Sequence, residues 1–108
     1  MGLERDYQPK VIEKLRQMFP GCVIQKLDTS YQQGIPDLLI LFEDKWAILE
    51  VKKSFEDRQS PRPNQEYFVE MFSEMSFSAF IYPENEEEVL RGLQQAFSSG
   101  RNSRLSQR

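Results

Sequence analysis

The sequence predicts an α/β domain in which a mixed sheet is flanked by helices, in the order αβββαβα. Three observations predict it. Two near-continuous apolar runs, Leu38–Phe42 and Trp46–Val51, meet through Glu43-Asp44, and stretches with helical apolar spacing lie before and after them. A charged residue also stands at the end of each run: Asp37 just before the first, and Glu50 and Lys52 at the close of the second. Strands that are apolar almost throughout belong to a sheet covered on both faces, and helices must supply the covers.

In "DYQPKVIEKLRQMF", Tyr7, Val11, Leu15, Met18 and Phe19 recur at helical spacing, and Pro20-Gly21 ends the run. Pro9 is tolerated only within the first turn of this helix. "CVIQKL" reads as a short strand and "DTSYQQGIP" as a polar loop, followed by the two apolar strands "LLILF" and "WAILEVK". "RPNQEYFVEMFSEM" is a second helix, with Gln65, Phe68, Val69 and Phe72 on a common face. "SAFIY" is a fourth strand; Asn85 with Glu88 forms a capping box for a last helix carrying Val89, Leu90, Leu93, Ala96 and Phe97. The expectation is one domain over residues 1–97, followed by a disordered basic tail over 98–108, "SSGRNSRLSQR".

A chain of 108 residues buries one core and has no room for a second. Its single cysteine, Cys22, forms no internal disulfide, which fits a reducing cytoplasm, and is read as a small buried hydrophobe. No apolar stretch approaches the roughly 20 residues of a membrane span. "MGLERDYQPK" has no signal-peptide pattern, so a soluble, cytoplasmic protein without a membrane partner is expected. There is no histidine, which excludes histidine-based nucleophile systems, general bases and zinc sites. Any metal here must be held by oxygen. The net charge of −3 argues against strong phosphate binding as a whole, but the charges are segregated. Lys52, Lys53, Arg58 and Arg62 cluster after the second apolar strand, Arg101, Arg104 and Arg108 sit in the tail, and Glu84, Glu86, Glu87 and Glu88 form an acidic block.

Side chains two apart on a strand share a face, so Trp46, Ile48, Glu50 and Lys52 point one way and Ala47, Leu49 and Val51 the other. With a two- or four-residue loop centred on Glu43-Asp44, Leu41 faces Trp46 and Asp37 faces Glu50; a three-residue loop would shift this register by one. Opposed residues have Cβ atoms about 4.5–5.5 Å apart. Two carboxylates that close repel each other unless a cation lies between them, and a hard divalent ion such as magnesium is the natural resolution. Lys52, on the face of Glu50, is then placed to hold an attacking water and to stabilise charge developing on a phosphate. Alone, Glu50 and Lys52 read far better as a surface pair worth about 0–1 kcal/mol. The addition of Asp37 after "GIP" is what turns the pattern toward chemistry.

As a set, "GIPDLLI", "AILEVKK" and the later "SP...NQEYF" resemble the motifs of the PD-(D/E)XK nuclease superfamily, and within it the VRR-NUC group of phage proteins and repair nucleases. The resemblance covers roughly residues 3–83. It implies a restriction-endonuclease-like αβββαβ core, extended here by a C-terminal helix, and a stand-alone phage-type nuclease in a bacterial host cell. It also implies a metal-dependent endodeoxyribonuclease with Mg2+ or Mn2+ as cofactor. On the matching positions, Asp37, Glu50 and the backbone carbonyl of Val51 hold the metal, Lys52 is the motif lysine, and Gln65 is the downstream glutamine. Family members often add a glutamate from the first helix. Helical geometry puts Glu4 within the arc of Val11 and Leu15, whereas Glu13 lies opposite and faces water, so Glu4 is the expected ligand.

The gap between Ser60-Pro61 and Gln65 is longer than the family's usual one, and it brings in Arg62. Lys53, Arg58 and Arg62, with Lys26 and Tyr31 ahead of the motif, are the expected contacts to the DNA backbone; Ser30 and Gln33 are weaker candidates. Branched DNA of the Holliday-junction type is the expected substrate, and paired incisions would call for a homodimer, with Phe55, Phe77 or Phe80 as apolar contacts. The alternative is a non-catalytic DNA-binding or assembly module on the same fold.

Overall fold

The computed structural model describes the backbone of residues 4–28 and 30–106 and the side chains of residues 6–28 and 30–98. The elements run α1 (Glu4–Met18), β1 (Val23–Lys26), β2 (Leu38–Phe42), β3 (Lys45–Val51), α2 (Phe55–Arg58), α3 (Gln65–Met75), β4 (Phe77–Ile81), a 3-10 turn (Pro83–Asn85) and α4 (Glu86–Ser106). The four strands form one mixed sheet in the order β1-β2-β3-β4. β1 and β2, and β2 and β3, are antiparallel, whereas β3 and β4 are parallel.

The β2–β3 hairpin turns through Glu43-Asp44 alone. Leu41 pairs with Trp46 and Phe42 with Lys45, and Glu43 adopts φ 57, a left-handed value that such tight turns require of their first residue. This is the two-residue register expected from the sequence, and it sends the strand's alternate residues to opposite sides. Leu38, Ile40, Ala47, Leu49 and Val51 enter the main core with Val11 and Leu15 of α1, Phe19 just after it, Ile81 of β4, and Val89, Leu90, Leu93 and Phe97 of α4. Leu15, Leu38, Ile40, Leu49, Leu93 and Ile81 of β4 are among the fully buried side chains, each worth about 1.5–3 kcal/mol over exposure. Phe19, Phe42 and Phe97 close one end of this core, with ring centroids 5.0–5.7 Å apart.

On the opposite face α3 lies over β3 and β4, where Phe72 meets Trp46 edge to face at 6.2 Å. The expectation of a sheet covered on both faces is met over β3, but α3 does not reach β1 and β2. There the paired Val23 and Leu41 remain 48% and 40% exposed.

Two local readings are corrected. Asn85 does not cap α4 in a box with Glu88. It ends the 3-10 turn, where Oδ1 accepts from the Tyr82 N–H at 2.9 Å and Nδ2 donates to the Phe80 carbonyl at 3.0 Å. Pro83 starts the turn two residues earlier than the asparagine signal suggests, so the amide is used backwards, on the strand end. The order αβββαβα has no element directly after the third strand, but the chain forms α2 there: the Ser54 Oγ accepts from the Asp57 N–H at 3.1 Å, a serine N-cap in β conformation. α4 runs to Ser106; of the tail expected over 98–108, the side chains after residue 98 and the backbone of 107–108 lie outside the described residues.

The starts of α1 and α4 are tied by Glu86, which accepts from the Tyr7 hydroxyl at 2.7 Å and pairs with Lys14. Cys22 is half-buried with its Sγ 3.9 Å from the Leu15 carbonyl, and burial pushes its thiol pKa up, in keeping with a packing role. Among the described residues no helix is long and apolar enough to cross a membrane.

Candidate active site

At the ends of β2 and β3 the hairpin register carries straight into the charged residues. Leu38 pairs with Leu49, so Asp37 and Glu50 are the next opposed positions. Asp37 is held by its neighbour strand: Oδ2 accepts from the Val51 N–H at 2.9 Å. Glu50, Lys52 and Gln65 are 2%, 4% and 6% exposed, the three buried polar side chains of the described chain.

They form one network. The Gln65 Nε2 donates to Glu50 Oε2 at 2.7 Å, while its Oε1 accepts from Lys52 Nζ at 2.8 Å and from the Arg62 N–H at 2.8 Å. Lys52 Nζ lies 3.8 Å from the same Glu50 oxygen. The carboxylate and the ammonium therefore sit on opposite ends of one amide, whose orientation is dictated by an acceptor on one side and donors on the other. Burying either charge alone is costly, and removing one partner of such a pair typically costs about 3–5 kcal/mol.

Gln65 reaches this position because it opens α3, and α3 is seated by a close backbone approach. Gly34 has φ +91, and a Cβ there would lie 2.6 Å from the Asn64 Cβ and 2.8 Å from the Pro63 carbonyl oxygen. Only glycine fits both the left-handed conformation and the contact. The glycine of "GIPD" thus docks the loop before β2 onto the residue preceding α3, itself left-handed at φ 71. The segment between Pro61 and Gln65 forms this loop, and it brings the Arg62 N–H onto Gln65.

Gln33, Gly34, Ile35, Asp37, Glu50, Arg62 and Gln65 line a cavity of about 200 Å³. It holds two carboxylates at strand ends, with an arginine at its wall. Hard oxygen donors of this kind suit Mg2+ or Mn2+. Among the described residues no three His, Cys, Asp or Glu side chains are gathered into one metal group, so two carboxylates are the anionic donors the described site offers. Glu4 opens α1, but its side chain lies outside the described residues; Glu13 is exposed, as expected. Val51 contributes its N–H to Asp37 while its side chain is fully buried in the main core.

The expected DNA contacts separate. Arg62 joins the cavity and Lys53 is exposed at the end of β3. Arg58 lies on the Phe80 ring, its guanidinium carbon 3.8 Å from the centroid, and 3.9 Å from Glu66. Tyr31 is 89% exposed on the loop ahead of Gln33, a loop shaped by Asp28, whose Oδ1 accepts from the Ser30 N–H at 2.9 Å and from its hydroxyl. Those bonds hold the Asp28 pKa below its ordinary value. Lys26 is not brought to the cavity: it pairs with Leu38, which faces the main core, and lines a separate groove with Pro9, Ile12, Glu13 and Arg16. Of the three apolar contact candidates, Phe80 is buried beneath Arg58 and Phe77 is half-buried, leaving Phe55 at 47% exposure.

Fold and site together define a mixed α/β domain with a carboxylate pocket and a buried lysine at the strand ends of its central hairpin. No family model matches the sequence, and no curated protein or solved structure is significantly similar to it.

Proposed function

We propose that this chain is a metal-dependent endodeoxyribonuclease of the PD-(D/E)XK type, with a restriction-endonuclease-like core. The observation that carries the reading is the convergence of Asp37 and Glu50 on one cavity, with the Lys52 ammonium held beside Glu50 through Gln65. Asp37 and Glu50 would hold Mg2+ or Mn2+, which when bound supplies Lewis-acid polarisation of a phosphodiester. Lys52 orients the attacking water and stabilises the negative charge that builds on the phosphate. Gln65 keeps the Lys52 ammonium from collapsing onto Glu50, and the Val51 N–H fixes the carboxylate plane of Asp37.

One such site cuts one strand, so paired incision in branched DNA calls for a twofold dimer, for which Phe55 is the exposed one of the three expected apolar contacts. Sedimentation that finds only monomer at working concentration removes the dimer from the proposal.

The test is cleavage of labelled four-way junction, flap, duplex and single-stranded DNA in Mg2+, Mn2+ or EDTA, with native protein beside Asp37→Asn and Lys52→Met. Metal-dependent cutting lost in both folded variants, together with a Mg2+-induced rise in Tm that Asp37→Asn abolishes, is the expected outcome. Binding without cutting by native protein would return the non-catalytic module instead.

A further inference from the structure

We propose that Arg58, laid flat on Phe80, is a preformed clamp for the DNA phosphate that neighbours the one being cut. The inference rests on the nuclease reading and assigns a second subsite to it.

Phe80 of β4 pairs in parallel register with Glu50 of β3, so the two side chains share the α3 face of the sheet. Adjacent strands are about 4.8 Å apart, which sets the ring one strand spacing from Glu50, on the side away from Asp37. Phe80 is 7% exposed, and the Arg58 guanidinium covers it at 3.8 Å. The charge itself is not buried: the Arg58 side chain is 31% exposed. A guanidinium stacked on a ring uses its face for the ring and keeps its N–H donors in the plane, free to grip a phosphate in a forked pair.

The residue is also held in place from below. α2 is capped by Ser54, the Phe55 N–H donates to Glu84 Oε1 at 3.1 Å, and the Phe55 and Tyr82 rings meet at 6.0 Å. The ion-pair partner of Arg58 is Glu66, 3.9 Å away and itself 61% exposed, a solvated group that a phosphate can displace. Asp37, Glu50 and the Phe80–Arg58 stack thus stand in a row across three strands, and a DNA strand laid over the first two meets the third with an adjacent phosphate.

The experiment measures kcat and KM on the best-cut DNA, and Kd for the same DNA in Ca2+, at several salt concentrations, for native protein, Arg58→Ala, Arg58→Lys and Glu66→Gln. Arg58→Ala is expected to raise KM and Kd by about tenfold or more, the loss of a charge-assisted forked pair, and to lower the salt slope by about one, with kcat little changed. Arg58→Lys keeps the charge but not the planar fork and should recover only part of the affinity. Glu66→Gln removes the competing anion and should tighten binding, an opposite sign that a purely structural role for Arg58 would not give. Equal Kd and salt slope for native protein and Arg58→Ala, or weaker binding by Glu66→Gln, would overturn the clamp. Absence of metal-dependent cutting by native protein would overturn the nuclease reading and the clamp with it, whereas cutting with an unchanged Kd for Arg58→Ala would overturn the clamp alone.

Discussion

Replacing Gln65 by leucine keeps the volume of the side chain and deletes its amide, so it isolates what the amide does. Three hydrogen bonds of 2.7–2.8 Å disappear, two of them to the charged groups of Glu50 and Lys52. Bonds to charged groups contribute about 1.5–3 kcal/mol each, and the cost is larger where the partner is left buried and unsatisfied. Part of this is recovered, because Lys52 Nζ is already 3.8 Å from Glu50 and can close on it. The net loss expected is about 2–4 kcal/mol, against a total stability of about 5–15 kcal/mol for a domain of this size. Urea unfolding at neutral pH, followed by the fluorescence of the single tryptophan, measures it directly. Trp46 packs against Phe72 of α3, so its emission reports whether that helix is seated. The midpoint should fall with the m-value unchanged. A loss below about 1 kcal/mol would refute the reasoning, since bonds of that worth are the ordinary neutral kind and Gln65 would then be a solvated residue at a helix start.

Further outcomes follow from the same geometry. Gly34→Ala should lose about 2 kcal/mol or more, from the left-handed φ and from a Cβ placed 2.6 Å from that of Asn64, and should lose metal-dependent cutting with it; denaturation beside the cleavage panel checks both. For Glu86, burial pushes the carboxyl pKa up, but the bonds from Lys14 and Tyr7 outweigh it and hold the value below the ordinary 4.5. A depressed folded pKa contributes stability that is present above the unfolded value and is lost as pH falls through the folded one. Native protein should therefore lose stability relative to Glu86→Gln below about pH 4.5, with the two curves running parallel above it, as read from Tm between pH 2 and 7.

How much of this was legible in the sequence divides by the distance over which each residue acts. Alternation along Trp46–Lys52 was enough to assign Ala47, Leu49 and Val51 to one face and Trp46, Ile48, Glu50 and Lys52 to the other, because strand side chains have a period of two whatever the neighbours do. The opposition of Asp37 and Glu50 followed from one further fact, the two-residue turn. Gln65 could be aimed at the sheet because it begins the same helical stripe as Phe68 and Phe72. Contacts set by tertiary closeness left no such trace. Asn85 carries a capping signal that its neighbours Tyr82 and Pro83 redirect to the strand end. Lys26 looks like any basic residue ahead of the motif until its pairing with Leu38 turns it to the α1 side.

Gly34 and Arg58 show what kind of information is missing. Nothing in "GIPD" says what its glycine approaches, and the answer, Asn64, lies thirty positions away in a loop read from the sequence as an awkwardly long gap. The loop and the glycine account for each other: Pro63 and Asn64 form the ledge onto which Gly34 closes, and Gln65 follows directly on its way to Glu50. Arg58 is similar, an exposed cation in sequence and a stacked one in space, because the aromatic beneath it comes from β4, across the helix α3. A carboxylate pair can be read from one hairpin. The groups that orient it arrive from chain segments whose only common property is where the fold puts them, so they carry the part of the chemistry that pattern alone cannot express.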